Sequence, residues 1–179
     1  MADTQKTHEG YCFTIRMADC NIAVHSMHSY VRKMCEDYII DAQNCEESTG
    51  DNSQKCDFSI EIVQENIDYE REQSRLEDER EGLEVRSFSD EYLETLAVYR
   101  KIAKELLNFD TVLFHGSVLE MNGEAVAFTA VSGTGKSTHA RLWRERFGDA
   151  VTMINDDKPL IKLAEDQAIA YGTPWCGKH

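Results

Sequence analysis

Apolar and polar positions alternate weakly from Tyr11 to Arg16 and again from Asn21 to Ser26, the period expected of half-buried strands. Tyr30, Val31, Met34, Cys35 and Tyr38 then recur at helical spacing, which predicts a short helix. Asn44 to Asn52 is polar, contains Gly50 and reads as a loop. Phe58, Ile60 and Ile62 alternate with Ser59 and Glu61 as a strand does. From Gln64 to Glu84 the chain is dense in Glu, Asp and Arg, a pattern that fits a solvated helix face or a surface loop laced with opposite charges.

The pattern sharpens after Ser89, a candidate N-cap. Tyr92, Leu93, Leu96, Ala97, Ile102, Ala103, Leu106 and Leu107 form one apolar stripe, so a helix is predicted here, packed on the sheet that follows. Thr111 to Glu120 reads as one strand, Asn122-Gly123 as a tight hairpin turn and Ala125 to Ala130 as the returning strand. Lys136 to Phe147 is a predicted helix with Leu142, Trp143 and Phe147 on its inner side, and Val151 to Asn155 a short strand. Ile161, Leu163, Ile169 and Tyr171 suggest a second hairpin around Glu165-Asp166. The fold class implied is α/β. A mixed sheet is expected in the region 89–179, preceded by a small acidic α+β region, 1–88.

Composition narrows what such a fold can do. Hydrophobic residues make up 41% of the 179 and charged residues 29%, which is globular composition rather than that of a disordered tail. The net charge of −14 argues against nucleic acid as a partner, because phosphate backbones are bound through clustered Lys and Arg. Met1 to Gly10 lacks the basic and apolar stretches of a secretion signal, and no apolar run is long enough to span a bilayer, so the expected location is cytoplasmic, with no membrane partner. The six cysteines show no metal-ligand spacing, and in a reducing compartment they are expected as thiols.

Three sets of residues carry candidate chemistry. Ala130-Val131-Ser132-Gly133-Thr134-Gly135-Lys136-Ser137 fits a relaxed Walker A pattern with Ala in place of its first Gly. Its glycines let successive backbone N–H groups turn inward as an anion nest, and the following helix points its positive end at the phosphates. Lys136 then reaches the terminal phosphates and the Ser137 hydroxyl ligates magnesium. Such a loop binds a nucleoside triphosphate through Ser132, Gly133, Thr134, Gly135, Lys136, Ser137 and Thr138. Asn155-Asp156-Asp157 closes a strand, where phosphoryl transfer needs one carboxylate near the metal and another to accept the proton of the attacking hydroxyl. His115 lies on the strand beneath the loop, where a core role competes with a functional one.

Leu113-Phe114-His115-Gly116, the hairpin, Ser132 to Thr138 and Asp156-Asp157 together resemble the catalytic domain of HPr kinase/phosphorylase, which belongs with ATP-dependent phosphoenolpyruvate carboxykinase. Ser-Thr-His-Ala-Arg-Leu-Trp at Ser137 to Trp143, Asn-Asp-Asp-Lys-Pro at Asn155 to Pro159 and Gly-Thr-Pro-Trp-Cys-Gly-Lys at Gly172 to Lys178 resemble HPr-kinase-related bacterial proteins. The likeness covers the chain from about Val112 onward. It implies ATP and Mg2+ as cofactors, His115 beside the reacting phosphate, Lys136 as the phosphate lysine, Ser137 as the magnesium ligand, Asp156 as a metal residue acting through water and Asp157 as the acid/base aspartate. The implied reaction moves the γ-phosphoryl group to a hydroxyl, on a protein or peptide serine or on a small molecule. HPr kinases assemble as hexamers, so self-association is implied too. By the same likeness the chain stops before the later strands, the arginine and the additional metal ligand of such domains, and the 89–179 core is expected to be incomplete. Two other readings stay open: a module that binds nucleotide and a partner without turnover, and a carboxykinase-like lyase.

Overall fold

A computed structural model of the chain describes residues 10–41, 56–131 and 133–176. The expected loop Asn44 to Asn52 lies outside these residues. The described residues are mixed α/β, with several sheets and four helices, and the chain divides into two compact units, Met1–Ile102 and Ala103–His179.

The first unit is built on β1 (Tyr11–Met17), β2 (Cys20–Ser26), β3 (Ile39–Asp41) and β4 (Phe58–Glu61), in the order β3-β1-β2-β4. β1 pairs antiparallel with β2 and β3, while β2 and β4 are parallel. The turn between β1 and β2 uses Ala18 and Asp19 at positive φ, a left-handed geometry that glycine usually supplies, so the sequence carried no turn signal there. The predicted helix from Tyr30 is shorter than its apolar spacing suggests. α1 (Ser29–Met34) stops at Cys35, a 3-10 turn covers Glu36–Tyr38, and the chain goes directly into β3.

The charge-dense stretch is helical: α2 (Gln64–Glu81) carries Arg75 between Glu72 and Glu79, both bonded to it at helical spacing. It ends at Gly82 in the left-handed conformation, φ 70°, with backbone N–H groups closing on Asp78 and Glu79 carbonyls. Just beyond, Arg86 bonds the buried Asp78 carboxylate through its backbone N–H and guanidinium. α3 (Asp90–Leu106) starts after Ser89, whose Oγ accepts from Tyr92 N at 3.3 Å. Its inner stripe is Leu93, Ala97, Val98, Ile102 and Leu106, whereas Tyr92 and Leu107 face solvent. Within the first unit the buried Glu94 carboxylate of this helix accepts from the backbone N–H groups of Met27 and His28 and pairs with His28 Nδ1 at 2.8 Å, and Arg100 meets Glu70.

The second unit holds two three-stranded sheets. The strand expected over Thr111 to Glu120 is broken in two: β5 (Thr111–Leu113) pairs with β9 (Leu160–Leu163), which pairs with β10 (Ala168–Tyr171), and β6 (Ser117–Met121) joins a different sheet. That second sheet runs β7-β6-β8, with β7 at Glu124–Phe128 and β8 at Val151–Asn155. Asn122 and Gly123, φ 57° and 82°, make the hairpin turn expected of the pair. α4 (Lys136–Phe147) follows β7 and has the predicted bounds. Ala140 is its fully buried residue and packs with Leu119, Val151, Phe128, Trp143 and Met153. The expected inner face is rotated: Leu142 and Phe147 are exposed, and Trp143 sits half-buried between the Phe128 and Phe147 rings. Small Ala140 lets α4 approach the sheet closely, and the large residues lie around that contact rather than in it.

Of the described cysteines, Cys20, Cys35, Cys56 and Cys176 are free thiols, whereas Cys12 is disulfide-bonded, a correction to the expectation of thiols throughout. Among the described residues no helix is long and apolar enough to cross a membrane.

Candidate functional site

Strand direction gathers the candidate residues. β6 is antiparallel to both neighbours, with Ser117 opposite Phe128 and Val118 opposite Asn155. β7 and β8 are therefore parallel to each other, and both finish beside the beginning of β6. Three segments thus emerge at one end of this sheet: Phe114 to Gly116 leading into β6, the loop from Thr129 leading out of β7, and Asp156-Asp157 leading out of β8. The carboxyl ends of parallel strands joined through a helix are where α/β proteins place ligands, because the loops there are free of sheet pairing and face the N-terminus of the crossover helix.

His115 and Asp157, more than forty positions apart, meet here: His115 Nε2 lies 3.4 Å from Asp157 Oδ1, and Lys158 Nζ lies 3.2 Å from Asp157 Oδ2. Two backbone bonds fix this approach, Gly116 N to Asp157 O at 3.1 Å and Phe114 N to Pro159 O at 3.0 Å. His115 is 62% exposed in its side chain, so the core alternative does not hold for it. Gly116 is required by space rather than by φ. A Cβ on it would stand 2.6 Å from the Phe114 ring and 2.7 Å from Phe128 O.

Asp156, in the bend after β8, is turned inward where Asp157 is half-buried. It is buried and its Oδ1 accepts from Ser117 Oγ at 2.7 Å. Sequence reasoning assigned no role to Ser117, and nothing in its pattern marks it. It also gave none to Asn155 beyond its place in the motif, although an Asn ahead of two Asp residues is a recognisable turn initiator. Asn155 Oδ1 accepts from Asp157 N at 2.9 Å and Lys158 N at 2.7 Å.

The loop between β7 and α4 is exposed from Thr129 to Val131 and from Gly133 to Gly135, and Lys136 and Ser137 are half-buried where α4 begins. Gly133 and Gly135 have φ of 81° and 95°, a conformation that needs glycine, and Gly133 would meet nothing within 4 Å if given a Cβ. Thr134 N and Oγ1 both close on Val131 O, at 3.3 and 2.6 Å, and Lys136 Nζ donates to Ala130 O at 2.9 Å. Thr129 Oγ1 donates to His115 O at 3.5 Å, tying the loop's entrance to the His115 segment. Ser132 and Lys178 lie outside the described residues. No group of three or more His, Cys, Asp or Glu side chains arranged for a metal occurs among the described residues.

The chemistry this arrangement offers is one exposed, glycine-hinged loop at a helix N-terminus, a lysine at its far side, and an imidazole–carboxylate pair beside it. The described residues define a mixed α/β protein whose second unit assembles that group from three separate segments. Neither a protein-family model nor a curated protein matches the chain.

Proposed function

We propose that the second unit binds a nucleoside triphosphate with magnesium at the Ala130 to Thr138 loop and transfers its γ-phosphoryl group to a hydroxyl, in the manner of the HPr-kinase-like proteins its motifs resemble. The observation that carries this reading is the convergence of His115, Asp157 and the β7–α4 loop at one end of the β7-β6-β8 sheet. The residues fit an anionic ligand: two positive-φ glycines shape the loop, no atom lies within 4 Å of a Gly133 Cβ, and α4 begins at Lys136.

In this reading Gly133, Thr134 and Gly135 offer backbone N–H groups to the β- and γ-phosphates, with Ser132 and Thr138 completing the cradle. Lys136 leaves Ala130 O to place its ammonium on the terminal phosphate. Ser137 would hold magnesium, with Asp156 as its second residue, and the ion would supply charge neutralisation across the phosphates. Asp157 takes the proton of the acceptor hydroxyl as the acceptor oxygen bonds to the γ-phosphorus and the bridging oxygen leaves with the diphosphate. His115 stands beside the carboxylate, where an imidazole can orient it and meet charge developing on the transferred group. A peptide or protein serine is the acceptor class that the resemblance favours.

A second reading, binding without turnover, draws on Asp156: its carboxylate is buried and Oδ1 is held by the Ser117 hydroxyl, which favours a structural role for it over a metal one. One pair of variants separates the two. Calorimetry with Mg-ATP on the full chain is expected to show binding that Lys136→Ala removes and Asp157→Asn keeps. Labelled-ATP transfer in a lysate is expected to need both residues. Binding without Asp157-dependent labelling leaves the module reading, and no heat with any Mg-nucleotide ends both.

A further inference from the structure

We infer that Thr173 is a positioning residue for Asp157, acting through the Asn155 side chain; this rests on the reading of Asp157 as the acid/base group of the site. Thr173 lies two residues beyond β10, in a segment whose sequence alone offers no mechanism, and both it and Asn155 are buried. Asn155 Nδ2 donates to Thr173 Oγ1 at 3.1 Å and to Thr173 O at 3.2 Å, while Oδ1 accepts from the Asp157 and Lys158 amides. The Thr173 hydroxyl has a single proton, and it goes to Lys158 O at 2.8 Å in preference to the longer contact with Trp175 O at 3.3 Å.

These bonds close a ring. Asn155 grips the turn by two N–H groups, and Thr173 grips both Asn155 and the carbonyl of the same turn. The amide can sit only one way round, because rotating it would put its NH2 against two backbone donors and its oxygen against the Thr173 carbonyl. With Asn155 fixed, the turn through Asp157 has one conformation, the one in which Gly116 N reaches Asp157 O and His115 Nε2 lies 3.4 Å from the carboxylate. A hydroxyl is needed at position 173 since the ring requires one atom that both accepts and donates. Serine meets that requirement and valine, of the same shape as threonine, does not.

The test is residue-resolved amide hydrogen exchange on the full chain carrying Thr173→Val or Thr173→Ser. Loss of one buried hydrogen bond is expected to speed exchange at the Asp157 and Lys158 amides by about tenfold in Thr173→Val, with Leu119 in β6 unchanged and Thr173→Ser matching the parent. Turnover of ATP is expected to lose kcat with KM for ATP retained in Thr173→Val, and to recover in Thr173→Ser. Equal acceleration at Leu119, no acceleration at the two amides, or a Thr173→Ser variant that exchanges faster than the parent overturns the proposal. The serine result decides even where the valine variant does not fold. Variants that show this exchange pattern while the parent chain turns over no ATP keep the positioning role and remove the kinase reading.

Discussion

Gly116→Ala tests whether close approach, rather than backbone conformation, sets the geometry around His115. The added Cβ would lie 2.6 Å from Phe114 Cε1 and 2.7 Å from Phe128 O, against an ordinary limit near 3.4 Å. The Phe114 ring can rotate away. Phe128 O cannot follow it, because Phe128 is paired with Ser117 in the β6–β7 ladder. The alanine is therefore expected to push Phe114 and His115 outward, lengthening the bond from residue 116 N to Asp157 O, and to destabilise the second unit by about 1–3 kcal/mol, the range for a methyl forced into a packed site. Both tryptophans of the chain, Trp143 and Trp175, belong to this unit, so their emission reports its unfolding in the intact protein. With a urea dependence of about 1 kcal/mol/M for so small a unit, the midpoint should fall by roughly 1–3 M. Gly123→Ala is the control: it has open space but a φ of 82°, so only the conformational cost of about 1–2 kcal/mol applies. A Gly116→Ala midpoint equal to the parent's would refute the argument from contact.

Two further outcomes follow from titratable groups. Burial pushes the Cys35 thiol up from 9.0 to about 12, so mass-mapped alkylation at pH 8 should modify exposed Cys176 and leave Cys35 intact. The raised value also means that stability is full below about pH 9 and declines above it, as the unfolded chain ionises first; unchanged denaturation midpoints up to pH 10.5 would contradict this. The Arg86 guanidinium bonded to Asp78 holds that carboxyl below the usual range. A depressed carboxylate stabilises above its unfolded value and ceases to as pH falls through its folded one, so the helical signal lost in Arg86→Leu relative to the parent should shrink on acidification from pH 6, and a difference independent of pH would refute the assignment.

Local pattern wrote much of this fold into the sequence. The bounds of α4 and β8, the Asn122-Gly123 turn and the pairing of β9 with β10 all follow from periodicity and turn chemistry within a dozen residues. What was not legible depends on longer reach. Nothing local distinguishes one strand over Thr111 to Glu120 from two, since the break at Phe114 to Gly116 is imposed by β9 pairing on one side and β7 on the other. Apolar size does not mark the inner face of α4, because the small Ala140 makes the close contact. At the site, His115, Asp157 and the glycine-rich loop could each be named from their own neighbours. Their meeting could not, and Thr173 was invisible because its partners, Asn155 and Lys158, lie 18 and 15 positions away.

The loop's present bonds bear on how its proposed ligand must be judged. Lys136 Nζ rests on Ala130 O, and Thr134 N and Oγ1 rest on Val131 O. A polyphosphate entering the cradle has to replace at least the lysine bond and the Thr134 N bond. Exposed bonds of this kind are worth about 0.5–1.5 kcal/mol each once exchange with water is counted, so opening both costs about 1–3 kcal/mol. That cost weakens affinity by roughly 5- to 150-fold against a loop already open, without altering which groups touch the phosphates. Modest affinity for Mg-ATP is therefore what a self-closed cradle gives. The quantity that discriminates is the difference between the parent and Lys136→Ala: a cradle that opens for phosphate loses a charge-assisted bond to the ligand in the variant, whereas unspecific attraction to an exposed loop on a chain of net charge −14 would barely change.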